Sequence, residues 1–333
     1  MMARIEVTEG TPEWHAIRLD HIGGSEISAL MLPPSELPGF HISAWTLRQV
    51  KSRKCPAEQS VDEPGSLPRL GRLLEPAIAS ELAAMEGWGL IKGAYEACDD
   101  VPGMGASIDY LIEPGPKELE MGWTGTGVLQ VKYSLGATHR LRWTDGEPPL
   151  YVLYQLQHEM RCKGASWGAV GCLVDGALKV YRSKAHDATQ ANIVGMVREF
   201  WRALETDTPI FAPNGRRVDI VDGSASTSDT IAAMWPVPPL EDLLDLTGDN
   251  EAADIAFDVL TYRASRMQAE KAEDEAMNRL KAKMEGHKNA DVQGFKIRGT
   301  YVADNPGRDP KPGEKIGVRK GYLRYTVKED MGQ

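Results

Sequence analysis

The spacing of apolar residues changes along the chain and separates helical segments from strand-like segments. Apolar positions recur at helical intervals in three long segments, at 67–85, 150–163 and 189–204. Short β-rich runs bounded by Gly, Pro and Asp lie at 106–112, 127–133, 168–174 and 178–182. Pro76 falls inside the first helical segment and predicts a bend there. Strands mixed with helices in this way predict an α/β core.

Short helices are predicted before the first of these long segments. One begins at Pro12, because Thr11 supplies a capping hydroxyl and Pro is favoured at the first helical position. Ser25 can cap a second short helix, and 43–54 is a third helical segment. A helical region is therefore expected to precede the strands.

The C-terminal third of the chain has a different pattern. Residues 211–240 contain several Pro and a Ser/Thr/Asp cluster, which predicts a linker between a main domain, 1–210, and an appendage, 241–333. Within the appendage, 250–285 reads as one long helix rich in Ala, Glu, Lys and Met. The tail, 286–333, alternates like strands around Pro/Gly turns. We therefore expect a C-terminal appendage made of a long helix and a small β-rich module.

Charge modifies this picture locally. The formal net charge of −10 argues against a protein whose whole surface coats nucleic acid, because phosphate binding relies on Lys and Arg. A local basic groove remains compatible with that charge. The tail 286–333 is basic, with ten Lys/Arg against six Asp/Glu, and contains Phe295 and Tyr301. Such a module can contact DNA through phosphates and stacking, or it can be a solvated β appendage.

Composition also bounds the class of protein. The four cysteines are scattered without a CxxC pair, so neither a zinc knuckle nor a disulfide framework is predicted. No stretch approaches the roughly 20 uninterrupted apolar residues that a membrane span requires. The first residues, MMARIEVTEG, lack the apolar core of a signal peptide. These features predict a cytosolic protein without a membrane span.

Candidate catalytic residues lie in the middle of the chain. Side chains alternate along a strand, so Gln130 and Lys132 project to the same face, with the carbonyl of Val131 between them. A phosphodiester hydrolase needs hard oxygen ligands for magnesium and a cation that steadies the developing charge. Asp109, Glu75 and the Val131 carbonyl can supply the oxygens, and Lys132 can supply the cation. Surface strands also carry Asp and Lys routinely, so these residues alone leave a purely structural role open.

Five sequence blocks between residues 13 and 209 strengthen the functional interpretation. In chain order they are WHAIRLDHIGGSE, GRLLEP, GASIDY, VLQVKYS and PLYVLYQLQHEM. In these blocks the chain resembles the phage lambda exonuclease and YqaJ-like viral recombinase family, within the PD-(D/E)XK nuclease superfamily. The resemblance implies a restriction-endonuclease-like core, in which helices flank a central mixed sheet.

The resemblance also implies roles for single residues. Asp109 would be the principal metal ligand, Lys132 the catalytic lysine and Glu75 the helix-borne acidic residue that completes the metal site. The carbonyl of Val131 would add a backbone ligand. Gln130 stands where the family usually has a second acidic ligand, and its amide oxygen can coordinate a metal without contributing charge. Magnesium affinity is therefore expected to be lower than with a carboxylate at this position.

A phosphate pocket is implied beside this metal site. Arg18, Ser25 and Ser107 match positions that in this family hold the 5′ phosphate of a DNA end. An Arg fork, two hydroxyls and the amides of a helix N-terminus also suit a phosphate on chemical grounds. Alternatively, Ser25 only caps its helix and Arg18 only forms a surface ion pair. In the last block, Gln155 and Gln157 diverge by about 200° on a helix, and we expect Gln157 to face the site.

The function implied is a Mg²⁺-dependent, or Mn²⁺-dependent, exonuclease acting on the ends of linear double-stranded DNA. The resemblance implies 5′ to 3′ polarity, release of mononucleotides, and a 3′ single strand handed to an annealing protein for recombination. It further implies a ring-shaped homotrimer and a phage or prophage protein in the cytoplasm of a bacterial host. Two alternatives stay open: an endonuclease or nickase on the same fold, or a catalytically weak module that binds DNA ends or a partner.

Overall fold

The computed structural model describes residues 3–5, 7, 10–39, 41–55, 66–135, 143, 146–235, 244–302 and 322–329, with backbone alone for 3–5 and 322–329. The chain divides into two compact units, Met1–Pro239 and Leu240–Gln333. All the sequence-predicted site residues belong to the first unit.

The described helices of the first unit begin and end at recognisable signals. They are α1 Pro12–Leu19, α2 Gly24–Met31, α3 Ala44–Lys51, α4 Leu67–Glu86, α5 Pro116–Glu120, α6 Leu150–Lys163, α7 Asp187–Glu205 and α8 Ala225–Met234, with a 3₁₀ turn at Pro34–Glu36. The Thr11 hydroxyl accepts a hydrogen bond from the Trp14 N–H and caps α1, as predicted. Helix α4 continues through Pro76 and ends at Gly87, which adopts the left-handed conformation at φ 71°.

Two sheets are described in the first unit. The larger one contains β2 Gly89–Lys92, β5 Tyr110–Glu113, β6 Gly127–Ser134, β7 Trp167–Val174 and β8 Ala177–Lys184, in the order β2-β5-β6-β7-β8. The smaller one contains β1 Ala3–Ile5, β3 Tyr95–Ala97 and β4 Gly105–Ser107. Strands β6 and β7 are parallel, whereas the other neighbours in the larger sheet are antiparallel. The larger sheet is therefore mixed.

Apolar cores cover both faces of the larger sheet. Val128 of β6 belongs to a core with Leu156 and Met160 of α6. The next residue, Leu129, belongs to a second core with Leu82 of α4. This alternation places helices on both faces, as expected when neighbouring side chains of a strand point in opposite directions. The predicted α/β fold, with a central mixed sheet flanked by helices, is confirmed.

The predicted linker, 211–240, is wrong over residues 211–235, which pack into the first unit. Ala212 and Val218 are buried, and α8 packs against α3. The hydroxyls of this segment form hydrogen bonds with α3 and its cap: Thr227 Oγ1 donates to Ser43 Oγ at 2.8 Å, and the Thr230 and Thr46 hydroxyls are 2.9 Å apart. The Ser/Thr composition therefore builds a buried hydroxyl network. The remainder of the predicted linker, 236–240, lies outside the described residues.

The second unit has its own small core. Helix α9, Asn250–Met284, is followed by an antiparallel sheet of β9 Asn289–Val292, β10 Phe295–Val302 and β11 Tyr322–Glu329, in the order β11-β10-β9. Met284 and Ile297 are buried together, with Leu280 packed against them. The predicted long helix and small β appendage are thus confirmed. Among the described helices of both units, none is long and apolar enough to cross a membrane.

Candidate active site

Asp109 lies where the chain passes from the smaller sheet to the larger one. The single strand predicted over 106–112 is divided in two, because β4 ends at Ser107 and β5 begins only after Asp109. At this crossing the Gly93 N–H donates to the carbonyl of Asp109 at 3.0 Å. The main chain of Asp109 is thereby fixed between the two sheets.

The carboxylate of Asp109 is held by the neighbouring strand β6. Its Oδ2 accepts hydrogen bonds from Gln130 Nε2 at 2.7 Å and from the Val131 N–H at 2.8 Å. Burial raises the pKa of Asp109 to about 7; the Lys132 ammonium opposes this rise, while the Glu75 carboxylate adds to it. The two acidic groups and the ammonium group therefore share one electrostatic environment, although they come from distant parts of the chain.

Lys132 is oriented by helix α6. Its Nζ donates to Gln155 Oε1 at 3.0 Å. The amide nitrogen of Gln155 donates to Gln130 Oε1 at 3.0 Å and to Glu159 Oε1 at 2.8 Å. Gln155 thus connects the two polar side chains of β6 with a glutamate on its own helix.

The prediction that Gln157 faces the site is wrong. Its amide bonds to groups around the end of β8: Nε2 donates to Ser183 Oγ at 3.1 Å and to the Lys184 carbonyl at 2.8 Å, and Oε1 accepts from the His186 N–H at 2.9 Å. Leu156 between the two glutamines is fully buried, which turns Gln155 towards the cleft and Gln157 away from it. Gln157 therefore ties α6 to β8 and to the start of α7.

Glu75 approaches Asp109 from the opposite helical layer, on α4. Its Oε1 accepts a hydrogen bond from Lys92 Nζ at 2.8 Å, and this ammonium lies 4.3 Å from the centre of the Tyr110 ring. Lys92 was not predicted as a site residue, since a single Lys at a strand end carries no distinguishing pattern. Its ion pair neutralises much of the charge of Glu75.

Most of the predicted site residues line one open cleft with a cavity volume of about 220 Å³. The predicted residues on its wall are Arg18, Ser25, Glu75, Ser107, Asp109, Gln130, Val131 and Lys132. Residues on the wall that were not predicted for the site include Trp14, Tyr95, Gln155 and Glu159. Of the predicted site residues, Gln157 alone does not line this cleft.

The Arg18 end of the cleft is organised around Trp14. The indole Nε1 of Trp14 donates to Ser107 Oγ at 2.9 Å, and the Arg18 guanidinium lies 4.4 Å from the centre of the indole ring. Arg18 also pairs with Glu26 at 3.5 Å, and its side chain remains 31% exposed. A hydroxyl and a guanidinium are therefore held side by side at the cleft, together with the ion pair that the alternative interpretation predicted.

Ser25 does not cap helix α2, so that expectation is wrong. Gly23 is the capping residue, and its N–H donates to Glu26 Oε2 at 2.8 Å. The glutamate is buried and fixed by Lys51 Nζ at 2.8 Å. Ser25 lies one residue beyond the first helical position, where its exposed side chain faces the cleft.

Glu159 is an acidic residue of the cleft that sequence reasoning missed. It is 1% exposed, and its Oε2 has no hydrogen-bond partner within the described part of the chain. Burial raises the pKa of Glu159 well above its usual range, and the nearby Asp109 carboxylate adds to that rise. The only sequence signal was its position one helical turn after Gln155.

The donors around Asp109 suit a hard divalent cation. The predicted ligands offer carboxylate, amide and peptide oxygens, which are oxygen types that bind Mg²⁺; this ion usually keeps several waters and takes only one or two carboxylates. As arranged here, Gln130 turns its amide nitrogen towards Asp109 and its Oε1 towards Gln155. Among the described residues, no group of three or more His, Cys, Asp or Glu side chains is arranged to hold a metal ion. The residues therefore fit Mg²⁺ or Mn²⁺ held by few carboxylates, with neutral oxygens and water completing the coordination.

Comparison with known proteins gives structural neighbours only. No family model and no curated protein matches the chain. Among solved structures, an alkaline exonuclease from Laribacter hongkongensis is 21% identical, with 59% of this chain and 94% of that chain covered and a TM-score of 0.46. The same exonuclease in complex with dAMP gives the same identity and coverage and a TM-score of 0.45. At this similarity, what this chain does has to be inferred from the side chains of its cleft.

Proposed function

We propose that this chain is a divalent-metal-dependent deoxyribonuclease that digests linear duplex DNA from its ends. The observation that carries the proposal is the meeting of Asp109, Glu75 and Lys132 at one cleft, although they lie on different elements. Phosphodiester hydrolysis needs carboxylates that bind a metal ion and a cation, here an ammonium group, that stabilises the negative charge developing on the phosphate.

The side chains of the cleft divide the chemistry between them. A bound Mg²⁺ or Mn²⁺ would polarise the phosphate and lower the pKa of a bound water. Asp109, with Glu75, Gln130 and Val131, would hold that ion. Lys132, positioned by its hydrogen bond to Gln155, would stabilise the charge that develops on the phosphate oxygens. The attacking water would lose a proton to solvent as its oxygen bonds to phosphorus. The bond from phosphorus to the 3′ oxygen of the terminal nucleotide would break, and that oxygen would take up a proton from solvent.

The proposed 5′ to 3′ polarity is supported by the pocket beside the metal site. Arg18 can form paired hydrogen bonds with a terminal phosphate, and the hydroxyls of Ser25 and Ser107 can donate to it. The amides at the start of α2 add partial positive charge. Digestion from such an anchored end would release mononucleotides and leave a 3′ single strand. By the sequence resemblance, an annealing protein would receive that strand during phage-type recombination, and the enzyme would be a homotrimer.

Metal-dependent digestion of 5′-phosphorylated linear duplex DNA tests the proposal. We expect digestion with Mg²⁺ or Mn²⁺ and none with a chelator, and Asp109→Ala and Lys132→Ala to lower the rate by about 100-fold or more. Asp100→Ala and Lys117→Ala are matched controls, because these residues lie in other ion pairs, with Arg161 and Glu86. Absence of digestion by the unaltered chain with either metal would refute the assignment.

The dependence on DNA ends is tested with the same assay. A 5′-hydroxyl end should be digested more slowly than a 5′-phosphate end, and Arg18→Ala should reduce that difference while Arg53→Ala, at an exposed ion pair, should not. Cleavage of closed circular DNA would favour the endonuclease or nickase alternative. DNA binding without cleavage would favour a catalytically weak end-binding module, the alternative motivated by the neutral Gln130.

A further inference from the structure

Glu159 is a buried carboxylate at the cleft that the proposed chemistry leaves without a role. Its Oε1 accepts a hydrogen bond from Gln155 Nε2 at 2.8 Å. Its Oε2 has no hydrogen-bond partner within the described residues, although the side chain is almost completely buried. A buried carboxylate oxygen without a partner is costly in free energy, so its retention needs a physical explanation.

The proposed metal ligands beside Asp109 contribute little uncompensated negative charge. Gln130 contributes a neutral amide, and the Glu75 carboxylate is already paired with Lys92 at 2.8 Å. Lys132 adds a positive charge to the same cleft. A divalent cation beside Asp109 would therefore meet one uncompensated carboxylate unless another acidic group contributes.

Glu159 lies where it can contribute. Gln155 Nε2 donates both to Glu159 Oε1, at 2.8 Å, and to Gln130 Oε1, at 3.0 Å, so these two oxygens converge on one nitrogen. Gln130 in turn contacts Asp109 Oδ2 at 2.7 Å. A continuous chain of hydrogen bonds thus connects the Glu159 carboxylate with the Asp109 carboxylate.

A glycine of helix α2, Gly24, faces Glu159 closely. A β-carbon at Gly24 would lie 3.0 Å from Glu159 Oε1 and 3.2 Å from Gln155 Cγ, closer than ordinary contact. The absence of a side chain at Gly24 lets the two helices approach while Glu159 still lines the cleft. The unpartnered carboxylate therefore borders the space that a cation and its waters would occupy.

We propose that Glu159 is an acidic group of the metal site, carried by helix α6 and supplying charge that the neutral Gln130 on β6 does not. This inference rests on the proposed function, because the role exists only where a divalent cation binds beside Asp109. Gln155 then positions two charged groups, the Glu159 carboxylate on one side and the Lys132 ammonium on the other.

The test measures Mn²⁺ affinity without DNA, by calorimetry or electron paramagnetic resonance, across a charge-relocation cycle on the full chain. Glu159→Gln keeps the acceptor for Gln155 but removes the charge, and should weaken Mn²⁺ binding by about 10- to 100-fold. Gln130→Glu should raise Mn²⁺ affinity by a larger factor in the Glu159→Gln background than alone, since the two positions are coupled. Glu96→Gln, at a buried glutamate paired with Lys163, is the matched control and should bind Mn²⁺ normally.

The outcomes separate this inference from the function on which it rests. Normal Mn²⁺ binding by Glu159→Gln would overturn the role of Glu159 alone, provided that the unaltered chain binds Mn²⁺ and digests DNA. The role of Glu159 would also be overturned if Gln130→Glu changed Mn²⁺ affinity by the same factor with and without Glu159→Gln. If the single Glu159 variant folds poorly, the double variant can still be compared with Gln130→Glu. An unaltered chain that neither binds Mn²⁺ nor digests DNA would overturn the proposed function itself.

Discussion

Gln155 and Gln157 lie two positions apart on α6 and take part in different networks. Gln155 contacts Lys132 at 3.0 Å in the cleft, whereas Gln157 joins α6 to Lys184 at 2.8 Å on the far side. We expect Gln155→Ala to lower the rate of DNA digestion by about 10- to 100-fold, because it frees the Lys132 ammonium that is proposed for catalysis. Gln157→Ala should instead cost about 1–3 kcal/mol of unfolding free energy, because buried partners lose their hydrogen bonds.

Both predictions are checked by measuring the free energy of unfolding in urea and the rate of end digestion for each variant. The expectation fails if Gln157→Ala abolishes digestion while its unfolding free energy is unchanged. It also fails if Gln155→Ala leaves the digestion rate unchanged.

Residue type and strand position alone left the roles of the site residues open, and the resemblance over five sequence blocks added the helix residues Arg18, Ser25 and Glu75. Asp109 and Lys132 lie in β-rich runs, their chemistry predicted a shared site, and the structure places both side chains on one cleft. Helical pitch showed that two glutamines must diverge, but not which of them faces the cleft, because buried apolar packing sets the rotation of α6. The position of Glu159 one helical turn after Gln155 was too weak a signal to assign it a role, since a glutamate is expected at the surface and burial of its charge depends on tertiary neighbours.

At the scale of elements, the crossing between the two sheets decides where Asp109 lies. A β-carbon at Gly93 would collide with the carbonyl of Ile108 in the neighbouring segment of the chain. This carbonyl belongs to the backbone and cannot rotate away. Gly93→Ala should therefore destabilise the fold by about 3 kcal/mol and displace Asp109. Thermal unfolding should show a lower midpoint, and digestion should fall with it.

Gly71→Ala is the matched comparison for this prediction. Gly71 lies inside α4, and a β-carbon there meets no atom within 4 Å. The same substitution should thus stabilise the protein by about 0.5–1 kcal/mol, because glycine is unfavourable in a helix interior. A loss of stability at Gly71, or none at Gly93, would contradict the interpretation of both positions.

Helices and strands with a regular spacing of apolar residues were predictable, whereas segments whose structure depends on tertiary contacts were not. Helix α6, Leu150–Lys163, and strand β7, Trp167–Val174, lie within a residue of their predicted bounds. The run 106–112 looked continuous because β-rich composition persists through it, while the actual break depends on a pairing with the turn at Gly93. The segment 211–235 looked like a linker because Ser and Thr are common in loops, yet here their hydroxyls pack α8 against α3.

At the scale of the whole molecule, every residue proposed for catalysis lies in the first unit, Met1–Pro239. This unit contains both cores of the larger sheet, whereas the second unit has a separate core at Met284 and Ile297. We expect a chain of residues 1–239 to fold and to digest linear DNA with the same metal dependence. Circular dichroism melting and the end-digestion assay check this; an unfolded or inactive product would show that the second unit is required.

Under the proposed roles of Ser107 and Asp109, the short stretch that joins them would act as a molecular ruler. Its hydroxyl belongs to the proposed anchor for the terminal phosphate and its carboxylate to the proposed metal centre, and two extended residues span at most about 7 Å of main chain. The gap between the held end and the bond to be cut is then set by peptide geometry. A DNA strand that moves past two sites at a fixed separation would be shortened by the same length at each step, whatever its base sequence.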